Sequence, residues 1–343
     1  GDHSDSDSAF FRGDYQVVIT IYEKFDLLLT TRLESLATIG LVVVDELQML
    51  ATPGRGAVLE RLLTRIKAFG RGPSLIGLSA VLAGGGLARL GEWLDAVVIE
   101  ETVRPVDLLV GVAAEKSIRF RSFNTGEISN APSAFTDAAD GMLDGLIDLL
   151  KNTEGATLVF LKSRQNTVDL AFRLAAAVNF APAKDALEQL RTEEPSFLVR
   201  SLSQALTRGV AFHNSNLSPR QREIVEQAFA HGEIRALCAT TTLAMGVNLP
   251  ADTVILETVK FCGGFDERSA LIPISRADFD NMSGRAGRLG LGGGKPGQAI
   301  VLASSEFDRD ILWEAYIAPP VSGGFGGSAI ALFGEPGTGS SSS

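Results

Sequence analysis

Residues 41–46 read Leu-Val-Val-Val-Asp-Glu: four apolar residues in a row, then two acids. A strand without polar alternation needs cover on both faces, which points to a parallel sheet flanked by helices. Comparable runs recur at QVVITI (16–21), SLIGLSA (74–80), ATLVFLK (156–162), GVAF (209–212), IRALCAT (234–240), TVILET (253–258) and AIVLAS (299–304). Helical spacing separates them, over 22–36, 58–69, 164–177, 184–207, 218–232 and 277–286, and LARLGEWLDAVVIE (87–100) reads as a helix and then a strand. This alternation predicts α/β architecture, with doubly wound parallel sheets in two lobes. The expected boundaries are a flexible end at 1–8, a short first lobe at 9–104, a second lobe at 105–317 and a Gly/Ser-rich tail at 318–343. In such sheets ligands gather at the carboxyl ends of the strands, so residues just after the apolar runs carry the interest.

Composition narrows the function. With 45% hydrophobic and 21% charged residues, the chain can bury a core. No apolar run reaches the roughly 20 residues that span a bilayer, so no membrane partner is expected. The opening GDHSDSDS is acidic and has no signal-peptide character. Two cysteines, Cys238 and Cys262, make no disulfide framework, so the expected setting is intracellular, cytoplasmic or nucleoid-associated. A net charge of −10 argues against a broad basic surface and favours a soluble monomer. Nucleic acid then has to be met locally, by a groove and oriented amides.

Several clusters can carry chemistry. Asp45 and Glu46 follow a buried strand, where one carboxylate can hold Mg2+ and the other can orient or deprotonate water; two solvated acids are the plain alternative. In NMSGRAGR (281–288), Arg285 and Arg288 share a face if the helix continues, and two guanidinium forks there suit a phosphate. Gly284 and Gly287 permit close approach of a ligand or another backbone. ATTTLAMGVNLPA (239–251) places hydroxyls, an amide and a glycine after a strand. FLKSRQNT (160–167) puts Ser163 and Arg164 at a strand-to-helix junction, suited either to a backbone phosphate or to a plain helix cap. His213 ends an apolar run and reads as structural; no metal-ligand spacing accompanies it. The only Gly-Lys pair, Gly294–Lys295, has Leu289 and Pro296 where a P-loop needs Gly and a hydroxyl residue, so no P-loop is present in this sequence.

In order, DELQ, LSA, FLKSR, GVAFHNSNLSPRQREIVEQAF, ATTTLAMGVNLPA and NMSGRAGR resemble superfamily 2 helicases of the DExH class, most nearly the Ski-type branch with its DNA-repair helicases. ITIYEKFDLLL (19–29) resembles that branch's motif Ib, and RGAVLE (55–60), GEWLDA (91–96) and RPVDLLVGV (104–112) also fit. The resemblance implies two RecA-like lobes, the first incomplete, with ATP and Mg2+ as nucleotide and metal and single-stranded DNA or RNA as partner. It implies that Asp45 meets Mg2+ through water, that Glu46 positions the hydrolytic water, and that Gln48 couples the nucleotide to the second lobe. Ser79 and Ala80 would link hydrolysis to strand movement. Gly246, Asn248 and Asn281 would face the nucleotide, and Arg285 and Arg288 would reach its γ-phosphate. Thr20, Lys24, Ser163, Arg164, Thr240 and Thr242 would touch the nucleic-acid backbone, contacts that read no sequence.

The departures are specific. Val81 replaces a hydroxyl residue, Asn281 replaces Gln, and His213–Asn214 replaces a His pair. The family's P-loop and adenine-recognition segment are expected before motif Ib, and its winged-helix and ratchet domains after the second lobe. A chain without that phosphate cradle is expected to turn over ATP negligibly, since phosphoryl transfer depends on positioning and charge stabilisation. The expected function is an ATP-dependent helicase motor fragment that couples hydrolysis to translocation. The alternative is a catalytically inactive helicase-like module that binds nucleic acid or a protein.

Overall fold

The computed structural model describes residues 2–51, 54–70, 72–79, 86–101, 103–114, 117–133, 142–241, 249–262, 270–287, 295–318 and 329–334. The chain divides into two compact units, Gly1–Thr102 with Pro320–Ser343, and Val103–Pro319.

The first unit runs α1 (Asp2–Arg12), α2 (Tyr22–Thr31), β1 (Leu41–Val44), α3 (Arg55–Ala68), β2 (Ser74–Ser79), α4 (Gly86–Leu94) and β3 (Ala96–Glu101). β1 and β2 pair in parallel, Val42 opposite Leu75. α3 buries Leu59, Leu62, Leu63 and Ile66, the apolar stripe of an amphipathic helix, in one core with Val42, Val44 and Leu47.

Three expectations change here. Residues 2–12 are helical rather than a flexible end: Phe10 is buried, stacks on Tyr15 at 5.6 Å and meets Phe25 edge-on at 6.2 Å. QVVITI pairs with no strand among the described residues, and Val17, Ile19 and Ile21 are exposed. Without a neighbour for its N–H and C=O groups, an apolar run is not a strand. β1 is buried on one face only: α3 packs on the Val42 and Val44 side, while Leu41 and Val43 are exposed, as are Val97 and Ile99 of β3.

The second unit opens with β4 (Leu108–Ala114), β5 (Ser117–Ser122) and β6 (Ile128–Pro132), then α5 (Met142–Asn152), β7 (Thr157–Leu161), α6 (Arg164–Ala177), α7 (Lys184–Leu190) and α8 (Phe197–Leu206). It continues with β8 (Val210–His213), α9 (Pro219–Ala230), β9 (Ala236–Thr240), β10 (Thr253–Leu256), β11 (Val259–Cys262), β12 (Ala270–Pro273), α10 (Arg276–Ser283), β13 (Gly297–Leu302) and α11 (Glu306–Tyr316). Its sheet has the order β6-β5-β4-β13-β10-β7-β9-β8. The six strands from β4 to β8 in that order are parallel, and β5 and β6 add an antiparallel edge. β7, β8, β9 and β10 are buried at every position, the two-faced cover that continuous apolar strands demand. This is the mixed α/β, mostly parallel arrangement of a RecA-like lobe.

The helix expected over 184–207 is two helices: the chain breaks before Pro195, and Ser196 caps α8 by accepting the Val199 N–H. The helix expected over 277–286 stops at Ser283, because Ala286 forms a parallel bridge with Ala251 and Gly287 takes φ 64°. Inside the Gly/Ser-rich stretch, Ala329–Gly334 forms β14, antiparallel to β2 and β3 in the first unit. Its sequence, AIALFG, is an apolar run that the surrounding glycines obscure.

Candidate functional site

In the first unit the acidic pair lies where β1 gives out. Leu47 is wholly buried and anchors the turn, while Asp45 and Glu46 stay exposed. Glu46 adopts φ 54°, a left-handed backbone unusual for a residue with a side chain. Its N–H donates to Asp45 Oδ1 at 2.8 Å. Gln48 Nε2 donates to Glu46 Oε2, and Ser79 Oγ donates to Gln48 Oε1 at 2.6 Å. Ser79 is buried at the end of β2, so the pairing of β1 with β2 joins Glu46, Gln48 and Ser79 in one hydrogen-bonded chain. Tyr22, which opens α2, donates its hydroxyl to the Asp45 carbonyl. Burial, then the neighbouring Asp45 and Glu46 charges, push the Tyr22 phenol above its ordinary range. The sequence reading gave Tyr22 no role; the YEK of motif Ib was its only signal.

Asp45 Oδ2 faces no protein donor among the described residues, and no group of three His, Cys, Asp or Glu side chains there could hold a metal. A single exposed carboxylate fits Mg2+ held through water, with phosphate oxygens completing the shell, rather than an all-protein cage.

Of the first-unit nucleic-acid candidates, Thr20 is exposed and Lys24 is paired with Asp7 at 2.6 Å. Ala80 lies outside the described residues.

In the second unit the candidates separate to opposite ends of the sheet. Leu161 of β7 sits opposite Thr240 of β9, so Ser163, Arg164 and Thr240 share the carboxyl edge. Ser163 caps α6, accepting the Asn166 N–H at 3.0 Å, which makes its hydroxyl part of the helix end. Arg164 is exposed and donates to Asn216 Oδ1 at 2.7 Å, while buried Asn214 donates to Thr167 Oγ1 at 2.9 Å. His213 is buried against Glu226 at 2.8 Å, the structural role expected of it. Cys238 is buried within β9, and desolvation pushes its thiol up.

Arg285 is elsewhere. It is buried beyond the end of α10, and its carbonyl accepts the Ala251 N–H at 3.1 Å, just before β10 begins. The Gly287 N–H returns to the Ala251 carbonyl at 3.0 Å. Arg285 therefore lies at the amino edge, not after an apolar run, and is not a solvated helix end. Arg104 Nη2 donates to the Ala286 carbonyl at 3.0 Å, while the Arg104 backbone is held by Asn124 at 2.8 and 2.9 Å. Asn281 is half-buried on α10. Thr242, Gly246, Asn248 and Arg288 lie outside the described residues.

Residues 141–290 match the family model described as helicase conserved C-terminal domain. Over 318 residues, 90% of this chain and 42% of the relative, it is 36% identical to an ATP-dependent DNA helicase Hel308 of Pyrobaculum calidifontis. It is 32% identical over 329 residues to the protein of that name from Caldivirga maquilingensis, covering 93% of this chain and 41% of the relative. A third, from Thermoplasma volcanium, is 32% identical over 308 residues, 90% of this chain and 42% of the relative. The chain thus spans about two fifths of the length of these curated relatives. Matches across nine tenths of its residues, in the motif order already described, bear out its resemblance to the superfamily 2 helicases.

Proposed function

We propose that the chain is the motor portion of an ATP-dependent DNA helicase, coupling hydrolysis to movement along one strand. The observation that carries this reading is the hydrogen-bonded chain from Glu46 through Gln48 to Ser79. It ties the carboxylate suited to a hydrolytic water to the end of the neighbouring strand, as a coupling device requires. Glu46 orients that water and takes its proton; Asp45 holds Mg2+ through water. When bound, the metal neutralises charge on the β- and γ-phosphates. Arg285, with Arg288, stabilises the charge that develops on the γ-phosphate, and Gly246, Asn248 and Asn281 face the nucleotide. Thr20, Lys24, Ser163, Arg164, Thr240 and Thr242 meet the backbone of a single strand. DNA rather than RNA is favoured by the relatives, each named as a DNA helicase.

The test is phosphate release with and without single-stranded DNA and RNA, for this chain and for a polypeptide extending it to the length of those relatives, each beside Glu46→Gln. This chain alone, which contains no P-loop, is expected to turn over ATP negligibly. The extended form should show strand-stimulated turnover that Glu46→Gln abolishes. Stimulated turnover surviving Glu46→Gln would refute the assignment. Binding without hydrolysis in the extended form would establish the inactive module instead.

A further inference from the structure

Glu46 and Asp95 are the only non-glycine residues with positive φ among those described. A left-handed glutamate persists only where its surroundings fix it. Three contacts do so here: Tyr22 on the Asp45 carbonyl, the Asp45 carboxylate on the Glu46 N–H, and buried Leu47 immediately after. The Glu46 carbonyl then accepts the Met49 N–H at 2.8 Å, closing the turn that presents Gln48. Tyr22 is also the first residue of α2, two positions after Thr20 and two before Lys24. A second tie, Arg55 Nε to Glu23 Oε1 at 2.9 Å, fastens the same helical turn to the start of α3. One side chain therefore joins the segment assigned to the nucleic-acid strand with the turn assigned to the hydrolytic water.

We propose that Tyr22 is a positioning residue for Glu46: its hydroxyl fixes the Asp45–Glu46 turn and makes the geometry of that turn depend on strand occupancy at Thr20 and Lys24. The coupling half rests on the nucleic-acid reading above; the positioning half does not.

Amide hydrogen exchange on this chain, with and without a short oligo(dT), tests both halves. Without oligonucleotide, Tyr22→Phe should speed exchange at Met49 by about five- to tenfold, the effect of one lost hydrogen bond, while the α3 amides of Leu62 and Leu63 hold their rates. With oligo(dT), Met49 should slow in the wild type. In Tyr22→Phe, the oligonucleotide should still bind by fluorescence anisotropy, since backbone contacts at Thr20 and Lys24 do not use the Tyr22 hydroxyl, and should leave Met49 unmoved. A merely structural tyrosine would change the basal rate but not the response to the oligonucleotide. If α3 loosens too, 3-fluorotyrosine at position 22, a stronger donor, should slow Met49. An unchanged basal rate in Tyr22→Phe overturns the positioning claim; equal oligonucleotide protection in both proteins overturns the coupling. Failure of the wild type to bind oligo(dT) overturns the nucleic-acid reading and the coupling with it, and the basal rates separate that outcome from failure of the positioning claim.

Discussion

Replacing Gly287 by Ala probes a tight backbone crossing in the second unit. Gly287 has φ 64°, and a Cβ there would lie 2.6 Å from both N and Cα of Gly297 and 3.4 Å from the Asp107 carbonyl oxygen. Left-handed backbone costs an alanine about 1–2 kcal/mol. Carbon atoms pack best at about 3.5–4.0 Å, so the overlap is near an ångström, and both crowded atoms are main chain. Relief requires the two segments to part, straining the Gly287 N–H to Ala251 bond at 3.0 Å and the Gly297 N–H to Asp107 bond at 2.9 Å. Each is worth about 1 kcal/mol, so the whole effect is about 3–4 kcal/mol. Gly232 supplies the control, with φ 77° and open space around its Cβ position; Gly232→Ala should cost only the backbone preference, about 1–2 kcal/mol. At roughly 2–4 °C per kcal/mol for a unit of this size, thermal unfolding should drop by about 6–16 °C for Gly287→Ala and about 2–8 °C for Gly232→Ala. Urea midpoints should rank the two in the same order. Equal shifts would refute the crossing argument, because only the steric contribution distinguishes the two glycines.

Two further outcomes follow from charges inside the units. Asp26 is buried and held by Arg61 at 2.5 Å and Arg65 at 2.9 Å. Arg65→Ala leaves that carboxylate short of a partner and should destabilise the first unit by about 2–3 kcal/mol in urea titration, whereas Asp26→Leu with Arg65→Leu should cost less; a double change worse than the single one counts against this. In the second unit, burial is the largest influence on His213 and holds its imidazole below the ordinary 6.5, against the opposite pull of Glu226, with Arg222 adding to the lowering. The unfolded chain then takes up the proton first, so this contribution to stability is complete above 6.5 and is lost as pH falls from 6.5 toward the folded value. Thermal midpoints measured across that window should fall more steeply for the wild type than for His213→Gln, and parallel curves would remove His213 as the source.

The parallel strands of the second unit are legible because burial on both faces leaves no room for polar alternation: TLVFL, ALCAT and TVIL announce themselves. QVVITI carries the same signal without becoming a strand, since pairing depends on a neighbour that composition does not name. β5 reads SIRFRS, alternating and charged, so the antiparallel edge hides among loop-like residues. α10 ends early for a reason written outside its own sequence, the bridge between Ala286 and Ala251. Side-chain chemistry was easier to read than its support. Asp45, Glu46, Gln48 and Arg285 stand out by type and order, whereas Tyr22 and Arg104 act on backbone carbonyls, acceptors that every residue possesses and no sequence distinguishes.

Thr240 and Arg285 lie at opposite edges of the second unit's sheet. Thr240 ends β9 at the carboxyl edge, and Ala251, bonded to Arg285, precedes β10 at the amino edge. The intervening parallel strand β10 has four residues, about 13 Å of rise, and it is buried throughout. In sequence, Thr242, Gly246 and Asn248 lie between Thr240 and Ala251. Arg104, held by Asn124, is bonded to the carbonyl of Ala286, the residue that bridges Ala251. In a parallel sheet every connection returns from a carboxyl edge to an amino edge, so β9 ends and β10 begins on opposite edges of this sheet.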